Sequence, residues 1–161
     1  MNYTIRKMRT AEYALLPDFL YGAIYLPPGV DPPPKSVVNS PELQVYTANF
    51  GRQQHDMALV AEICATGEVV GAIWARIMDD YGHIDNTTPS IAMSVCPAYR
   101  GQGIGTALLQ SFLSAERAAG CKRLSLSVQK DNYAAKMYQK QGFVIVGQTD
   151  QEYIMDIDLL P

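Results

Sequence analysis

The sequence has little of what marks secreted, metal-binding or nucleic-acid-binding proteins. It contains three cysteines in 161 residues, and Cys64, Cys96 and Cys121 lie far apart, without the close pairs typical of disulfide frameworks or zinc sites. The net charge is −3, so a basic face for nucleic acid is not expected. We therefore expect reduced thiols, no metal and no nucleic-acid partner.

Long apolar runs are also missing. No apolar stretch reaches the roughly 20 residues needed to span a bilayer, although 48% of the residues are hydrophobic and 18% are charged. The first residues, Met1 to Lys7, mix charge with strand-like alternation and lack the apolar core of a signal peptide. These features predict a globular, cytoplasmic protein with no membrane partner, and the length predicts a single domain over residues 1–161.

Groups for nucleophilic catalysis are scarce. The two histidines are His55, in a polar linker, and His83. Because the chain has no nucleophile elbow, a Ser-His-Asp hydrolase has no support. Cys96 lies near the glycine-rich segment described next, but a structural thiol is the favoured interpretation over a nucleophile.

What the chain does contain is a glycine-rich entry to a helix. The segment Arg100-Gly101-Gln102-Gly103-Ile104-Gly105-Thr106 follows an apolar strand pattern, Ile91 to Val95, and leads into a helical pattern, Ala107 to Ala119. Unpaired N–H groups and the helix dipole make such a turn an anion site, and glycines allow close approach.

Spacing separates the possible ligands of this turn. An NTPase loop requires a lysine after its last glycine, but Thr106 follows Gly105 here, so that loop is excluded. The dinucleotide fingerprint requires a glycine where Thr106 stands and a later acidic residue at the end of a strand, so it is disfavoured as well. An ordinary strand-to-helix turn remains an alternative for the segment taken alone.

Two blocks in order resemble the GCN5-related N-acetyltransferase (GNAT) family. Arg100, Gly103 and Gly105 fill that family's acetyl-CoA loop. The second block follows a strand pattern from Leu124 to Val128 and consists of Asn132, Ala135, Tyr138, Gly142 and Phe143. The resemblance covers about Ser90 to Val146, whereas the first half matches only in its layout of helices and strands.

The resemblance implies an α/β protein with the GNAT fold. This is a single mixed, mostly antiparallel sheet of about seven strands, flanked by helices and splayed between the Ile91 and Leu124 strands. Local patterns agree with that layout. They predict a helix capped by Thr10, helices over Pro17–Tyr25, Pro41–Phe50 and Asn132–Lys140, a hairpin of Ala58–Cys64 with Val69–Met78, and last strands over Val144–Val146 and Tyr153–Leu159.

The resemblance further implies acetyl-CoA as cosubstrate, with direct transfer of the acetyl group to a primary amine. The glycine-rich turn would bind the pyrophosphate, the strand before it would pair with the pantetheine arm, and Asn132 would hold that arm from the other side. The implied cofactor-binding residues are Met93, Ser94, Val95, Arg100, Gly101, Gln102, Gly103, Ile104, Gly105, Thr106, Asn132 and Tyr138.

Tyr138 matches the family's general acid, because a phenol is protonated at neutral pH and can donate to a departing thiolate. The alternative is that Tyr138 packs against the sheet and only positions the sulfur. Asn132 and Tyr138 are six residues apart, whereas many relatives have seven.

The general base does not carry over from the family. Many relatives have a glutamate where this chain has Ser90. Acidic and histidine candidates lie nearby, and we prefer Asp85 or His83 as the base or amine contact. The full set is Asp79, Asp80, His83 and Asp85. The alternatives are a solvated loop of turn-forming acids or, less favoured, a metal site.

The acceptor is predicted to be a small-molecule or peptide amine, and the protein a monomer or homodimer. Tyr21 and Tyr25, the proline-rich loop Leu26 to Lys35 with Asp31, and Tyr46 with Phe50 could wall the amine site, although aromatics at helical spacing are more often core. Two other functions stay open: an acyl-CoA-sensing module, favoured by Ser90, and an interaction protein that binds no nucleotide.

Overall fold

A computed structural model describes residues 2–160, which are built around one seven-stranded sheet. The strands are β1 (Tyr3–Lys7), β2 (Met57–Ile63), β3 (Val69–Arg76), β4 (Ser90–Val95), β5 (Arg123–Gln129), β6 (Val144–Gln148) and β7 (Glu152–Asp158). Their order is β1-β2-β3-β4-β5-β7-β6, and each neighbouring pair is antiparallel except β4 with β5. The predicted mixed, mostly antiparallel sheet is confirmed.

In the described part of the chain, four α-helices and three short 3₁₀ segments flank the sheet. The helices are α1 (Leu16–Ala23), α2 (Pro41–Gln44), α3 (Ile104–Ala118) and α4 (Ala134–Lys140), and the 3₁₀ segments are Thr10–Leu15, Lys35–Asn39 and Pro97–Tyr99. Within residues 2–160, no helix is both long and apolar enough to cross a membrane.

The predicted helix from Pro41 to Phe50 is wrong in its second half, since α2 ends at Gln44. Side chains capture the carbonyl groups that a longer helix would use. The Arg76 guanidinium donates to the carbonyls of Val45 and Ala48, and the Trp74 indole donates to that of Tyr46. This competition replaces helical hydrogen bonds with contacts to β3.

Two other helix starts differ from prediction. The N-cap of the first 3₁₀ segment is Arg9 rather than Thr10, and the Arg9 N–H donates to the carboxylate of Glu12 at 2.8 Å. Helix α4 begins at Ala134, because the Asn132 side-chain oxygen accepts the Ala134 N–H at 2.9 Å. Asn132 therefore stands before the helix rather than within it.

Two hydrophobic clusters cover opposite faces of the sheet. Ile73 of β3 points into the cluster that contains α3, whereas Trp74 points into the cluster that contains α1. This alternation is the period-two pattern of a strand buried on both sides. The sheet therefore separates an α3–α4 face from an α1–α2 face.

The sheet opens between its two parallel strands. Strands β4 and β5 share one paired position, Ser90 with Ser125. In contrast, β4 is paired with β3 along its whole length, and β5 is paired with β7 in the same way. The carboxyl-terminal halves of β4 and β5 therefore diverge, which confirms the predicted splay between the Ile91 and Leu124 strands.

Candidate active site

A cavity of about 630 Å³ lies where β4 and β5 separate. Its wall includes Val128 and Tyr138 from the α3–α4 face and Leu20 and Tyr46 from the α1–α2 face. A cavity lined from both sides of a sheet can bring together two molecules that approach from opposite faces. Its volume is in the usual range for small-molecule sites.

The glycine-rich turn stands at the end of β4 and opens α3. Gly101 and Gly103 have φ angles of 74° and 85°, a left-handed conformation in which side chains are strained. Gly103 is the N-cap of α3, and no side chain of the described chain caps it. The first N–H groups of a 15-residue helix are thus left for an anion.

The third glycine of the turn lies close to the splay. A Cβ added to Gly105 would stand 3.8 Å from Met93 and 3.9 Å from Met137. The turn is thus packed against β4 on one side and α4 on the other. Because Met93 also lines the cavity, the turn lies next to the cavity wall.

Arg100 and Ser94 hold α1 against β4. The Arg100 guanidinium donates to the carbonyls of Val95 at 2.8 Å and Gly22 at 3.2 Å. The buried Ser94 hydroxyl donates to the carbonyl of Phe19 at 2.6 Å. Both residues were predicted to bind the cofactor, Ser94 through its backbone and Arg100 as the start of the turn, and these roles stay predictions. Their side chains contact α1 and position it.

Of the predicted cofactor-binding residues, Met93, Asn132 and Tyr138 line the cavity. Tyr138 is 8% exposed, and its ring packs edge-to-face on Phe143 with centroids 5.6 Å apart. Burial raises the pKa of Tyr138 to about 12. The phenol therefore keeps its proton across the physiological range and is available as a donor.

The two preferred base candidates are not placed at the cavity. The Asp85 carboxylate accepts hydrogen bonds from the N–H and hydroxyl of Thr87, both at 2.9 Å, and such bonds lower its pKa to about 2. His83 Nδ1 donates to the Met78 carbonyl at 2.8 Å. Neither residue is among the described residues that line the cavity. Their hydrogen bonds are instead made to neighbours within the same loop, Met78 and Thr87.

Asp80 is the acid that reaches the start of β4. Ser90 Oγ donates to Asp80 Oδ1 at 2.8 Å, and burial raises the pKa of the Asp80 carboxyl. The phenol of Tyr46, which lines the cavity, lies beside Asp80. Burial and then that carboxylate raise the pKa of Tyr46. A carboxylate thus lies at the position where the resemblance implied one, supplied by a loop rather than by the strand.

Gly82 fixes this loop on the sheet. A Cβ at Gly82 would lie 2.8 Å from the backbone of both Leu126 and Ser127, closer than real side chains come. The Ser125 hydroxyl also donates to the Gly82 carbonyl at 2.7 Å. The glycine therefore lets the Asp80 loop lie directly on β5, at the closed end of the splay.

The predicted aromatic wall is present in part. Tyr25, Pro33 and Tyr46 line the cavity. In contrast, the Tyr21 hydroxyl donates to the Pro33 carbonyl at 2.6 Å and pins the proline-rich loop. Phe50 is buried against Tyr13. Of the loop Leu26 to Lys35, Pro33 alone of the described residues contacts the cavity.

Residues 2–160 give no support for a metal site or for a cysteine nucleophile. No group of three or more histidine, cysteine or acidic side chains is arranged to hold a metal ion. Cys96 is a free thiol, and burial raises its pKa. A raised pKa keeps the thiol protonated, which disfavours a nucleophilic role.

Solved structures share this architecture. An N-acetyltransferase from Staphylococcus aureus Mu50 superimposes with a TM-score of 0.71 at 20% identity, over 99% of this chain and 100% of that one. The yncA protein from Salmonella typhimurium, solved with its cofactor acetyl-CoA, gives a TM-score of 0.65 at 20% identity, over 99% and 95% of the two chains. Identities this low show the fold alone.

Sequence comparisons give the family. The acetyltransferase SG1711 of Sodalis glossinidius (strain morsitans) is 34% identical over 103 residues, which are 63% of this chain and 66% of that relative. The match thus spans slightly less than two thirds of the relative's length. The family model described as "Acetyltransferase (GNAT) family" matches residues 28–143, well over half of the chain. With the splayed sheet and the glycine-rich turn in place, this chain belongs to the GNAT acetyltransferase family.

Proposed function

We propose that the protein is an acetyl-CoA-dependent N-acetyltransferase that moves the acetyl group directly from the thioester to a primary amine. The observation that carries the proposal is the cavity between β4 and β5, which is lined from both faces of the sheet. Acetyl-CoA supplies the activated acyl group. The chain has to bind it, admit the amine and move two protons.

The α3–α4 face suits the donor. The uncapped first turn of α3, behind left-handed Gly101 and Gly103, suits a pyrophosphate. Beyond Ser90, the β4 edge that faces β5 has no paired strand position, so its backbone groups are available to an extended arm. That yncA was solved with acetyl-CoA supports the same donor here.

Tyr138 is proposed as the general acid. As the nitrogen–carbon bond forms and the carbon–sulfur bond breaks, the departing thiolate takes the proton from the Tyr138 hydroxyl. A phenol whose pKa burial raises to about 12 is protonated before the reaction and returns readily to that state. Packing on Phe143 fixes the ring against the cavity wall.

Asp80 is proposed as the final acceptor of the amine proton, in place of Asp85 or His83. Among residues 2–160, Asp80 does not itself line the cavity, but the Tyr46 phenol lines it and lies beside Asp80. We therefore propose that Tyr46 passes its proton to Asp80 while it accepts one from the amine side. Ser90 holds the carboxylate by its hydrogen bond of 2.8 Å. The raised pKa of Asp80 makes it a better proton acceptor than an exposed aspartate.

A second candidate function is an acyl-CoA-binding module without turnover. Its support is Ser90, which cannot itself deprotonate an ammonium ion. The hydrogen bond between Ser90 and Asp80 weakens that support, because a carboxylate is held at the same place.

The test is an assay of thiol release from acetyl-CoA with a panel of primary amines. The proposal expects amine-dependent release of CoA, and Tyr138→Phe should lower kcat by about 10²-fold or more with little change in acetyl-CoA affinity. Tyr133→Phe is the matched control, because Tyr133 is 78% exposed and immediately precedes the same helix. Tight acetyl-CoA binding without thiol release by any amine would instead establish the binding module.

A further inference from the structure

The acceptor side of the cavity is the part on the α1–α2 face. Its wall is dominated by apolar and aromatic side chains from α1, the proline-rich loop, the α2 region and the Asp80 loop. They include Leu20, Tyr25, Pro33, Leu43, Tyr46 and Tyr81. A wall of this composition binds an apolar body, because burial of apolar surface is the main driving force in such pockets.

The charged side chains of the wall have one sign. Glu42 stands in α2 and Glu152 begins β7, directly opposite Gln129 of β5. Among residues 2–160, no lysine, arginine or histidine lines the cavity. The two carboxylates attract an ammonium group, but an anionic group on the same molecule would meet like charges and no counter-charge.

The placement of the acids also bears on molecules with several ammonium groups. Glu42 is exposed, and the Glu152 carboxylate already accepts a hydrogen bond from Gln129 Nε2 at 3.1 Å. The other described residues of the wall are uncharged, and the polar ones besides the phenols are neutral side chains that include Ser40, Ser127 and Asn132. A chain of ammonium groups extended along the cavity would therefore leave some of them without an anionic partner, which is costly.

From these contacts we propose that the acceptor is a small primary amine with an apolar body and no anionic group. The proposal rests on the acetyltransferase function proposed above and narrows its substrate. Size agrees with it, because the same cavity of about 630 Å³ must also admit the donor's arm. Amino acids, which carry a carboxylate beside the amine, are thereby excluded as good acceptors.

A matched set of probes tests this: 2-phenylethylamine, L-phenylalanine and L-phenylalaninamide, with spermidine as the polyamine. The first two share the phenyl body and differ by the carboxylate, and the amide keeps the bulk of that group without its charge. We expect kcat/KM for 2-phenylethylamine to exceed that for phenylalanine by about tenfold or more, with phenylalaninamide better than phenylalanine. The amine of phenylalanine is less basic than that of 2-phenylethylamine, so a larger fraction of it is neutral and reactive at the same pH. Amine protonation alone would therefore favour phenylalanine, the opposite of the expected preference.

Charge-removing variants and added salt test whether Glu42 and Glu152 cause the preference for 2-phenylethylamine over phenylalanine. Combined Glu42→Gln and Glu152→Gln should shrink the ratio between 2-phenylethylamine and phenylalanine by about threefold or more. Higher ionic strength should shrink it in the wild type, since Glu42 is exposed. A ratio unmoved by both changes would overturn the charge argument.

The outcomes separate the two proposals. If phenylalanine is acetylated as well as 2-phenylethylamine, or spermidine is preferred by tenfold, the substrate class is wrong while the acetyltransferase function stands. If no amine releases CoA although acetyl-CoA raises the melting temperature, the proposed function fails and the substrate class falls with it.

Discussion

Ser90 Oγ donates a hydrogen bond to Asp80 Oδ1 at 2.8 Å, and the two residues stand at the closed end of the splay between β4 and β5. Ser90 is fully buried, and its hydroxyl has two polar neighbours: the Asp80 carboxylate and, at 3.3 Å, the Ser125 hydroxyl. The pair explains how a strand that starts with serine still has a carboxylate at its first position. The loop from Asp79 to Asp85 is thus part of the candidate site, through Asp80.

Replacement of Asp80 by asparagine should remove the proton acceptor and keep the shape of the side chain. We expect kcat/KM to fall by about 10²-fold, with acetyl-CoA affinity nearly unchanged. Asp79→Asn is the control, because Asp79 is exposed and adjacent in the chain. Steady-state kinetics of both variants measure the difference, and equal activities would exclude Asp80 from proton transfer.

The pH dependence follows from the same groups. Asp80 accepts a proton only when ionised, and burial raises its pKa, so kcat/KM should rise as pH increases through that raised value. Tyr138 donates only when protonated, and its pKa of about 12 predicts no loss of activity from this group up to about pH 10.

A pH–rate profile of the wild type beside Asp80→Asn checks both limbs. The rising limb should be lost in the variant. A falling limb near neutral pH that disappears in Tyr138→Phe would contradict the role assigned to Tyr138.

Gly82→Ala should disturb the site through the backbone. The added Cβ would meet the backbone of Leu126 and Ser127 at 2.8 Å, so the loop must move away from β5. We expect lower stability, by about 1–3 kcal/mol, and lower kcat. Gly147→Ala offers a comparison, because Gly147 is not left-handed and its added Cβ would make only ordinary contacts with Ile154, at 3.7 Å and 3.9 Å. Chemical denaturation and kinetics should separate the two variants, and a Gly82→Ala protein with normal activity would argue against this placement of the loop.

The buried ion pair of Arg76 and Asp56 should dominate the stability of the segment that carries Tyr46. Its side chains are 1% and 0% exposed, and the guanidinium meets the carboxylate through two hydrogen bonds of 3.1 Å. Asp56→Asn leaves a buried charge unpaired, so we expect a loss of about 3–5 kcal/mol in the free energy of unfolding.

The exposed pair of Arg123 and Asp85 is the matched control for that variant. Its side chains are 39% and 44% exposed, so Asp85→Asn should change the free energy of unfolding far less than Asp56→Asn does. Urea denaturation of both variants gives the comparison, and similar losses would contradict the assigned importance of the buried pair.

Much of the fold could be predicted because its signals are local. The apolar runs of β2, β3 and β4, the alternation of β5 and the glycine-rich turn before α3 are each short patterns that stand in the sequence itself. The end of α2 could not be predicted, because Arg76 and Trp74 of a distant strand take the carbonyls of Val45, Ala48 and Tyr46.

The proposed proton acceptor, Asp80, could not be predicted from the sequence for the same reason. Four titratable residues in one loop are equivalent by spacing. Tertiary contacts distinguish Asp80 from Asp85. Gly82 allows the loop to lie directly on β5, and Ser90 donates its hydrogen bond to Asp80. In the sequence, Gly82 between Asp80 and Asp85 is a signal that the loop could lie close to another part of the backbone. That the partner is Leu126 and Ser127 of β5 is visible only in the structure.

The most direct test of the account follows a labelled acetyl group. The protein is mixed with [13C]acetyl-CoA and 2-phenylethylamine, and the products are identified by NMR and mass spectrometry. The account predicts labelled N-acetyl amine in an amount equal to the free CoA formed, and loss of that product in Tyr138→Phe but not in Tyr133→Phe. Label that appears as free acetate, or stays on the donor with every amine tried although the donor is bound, would contradict it.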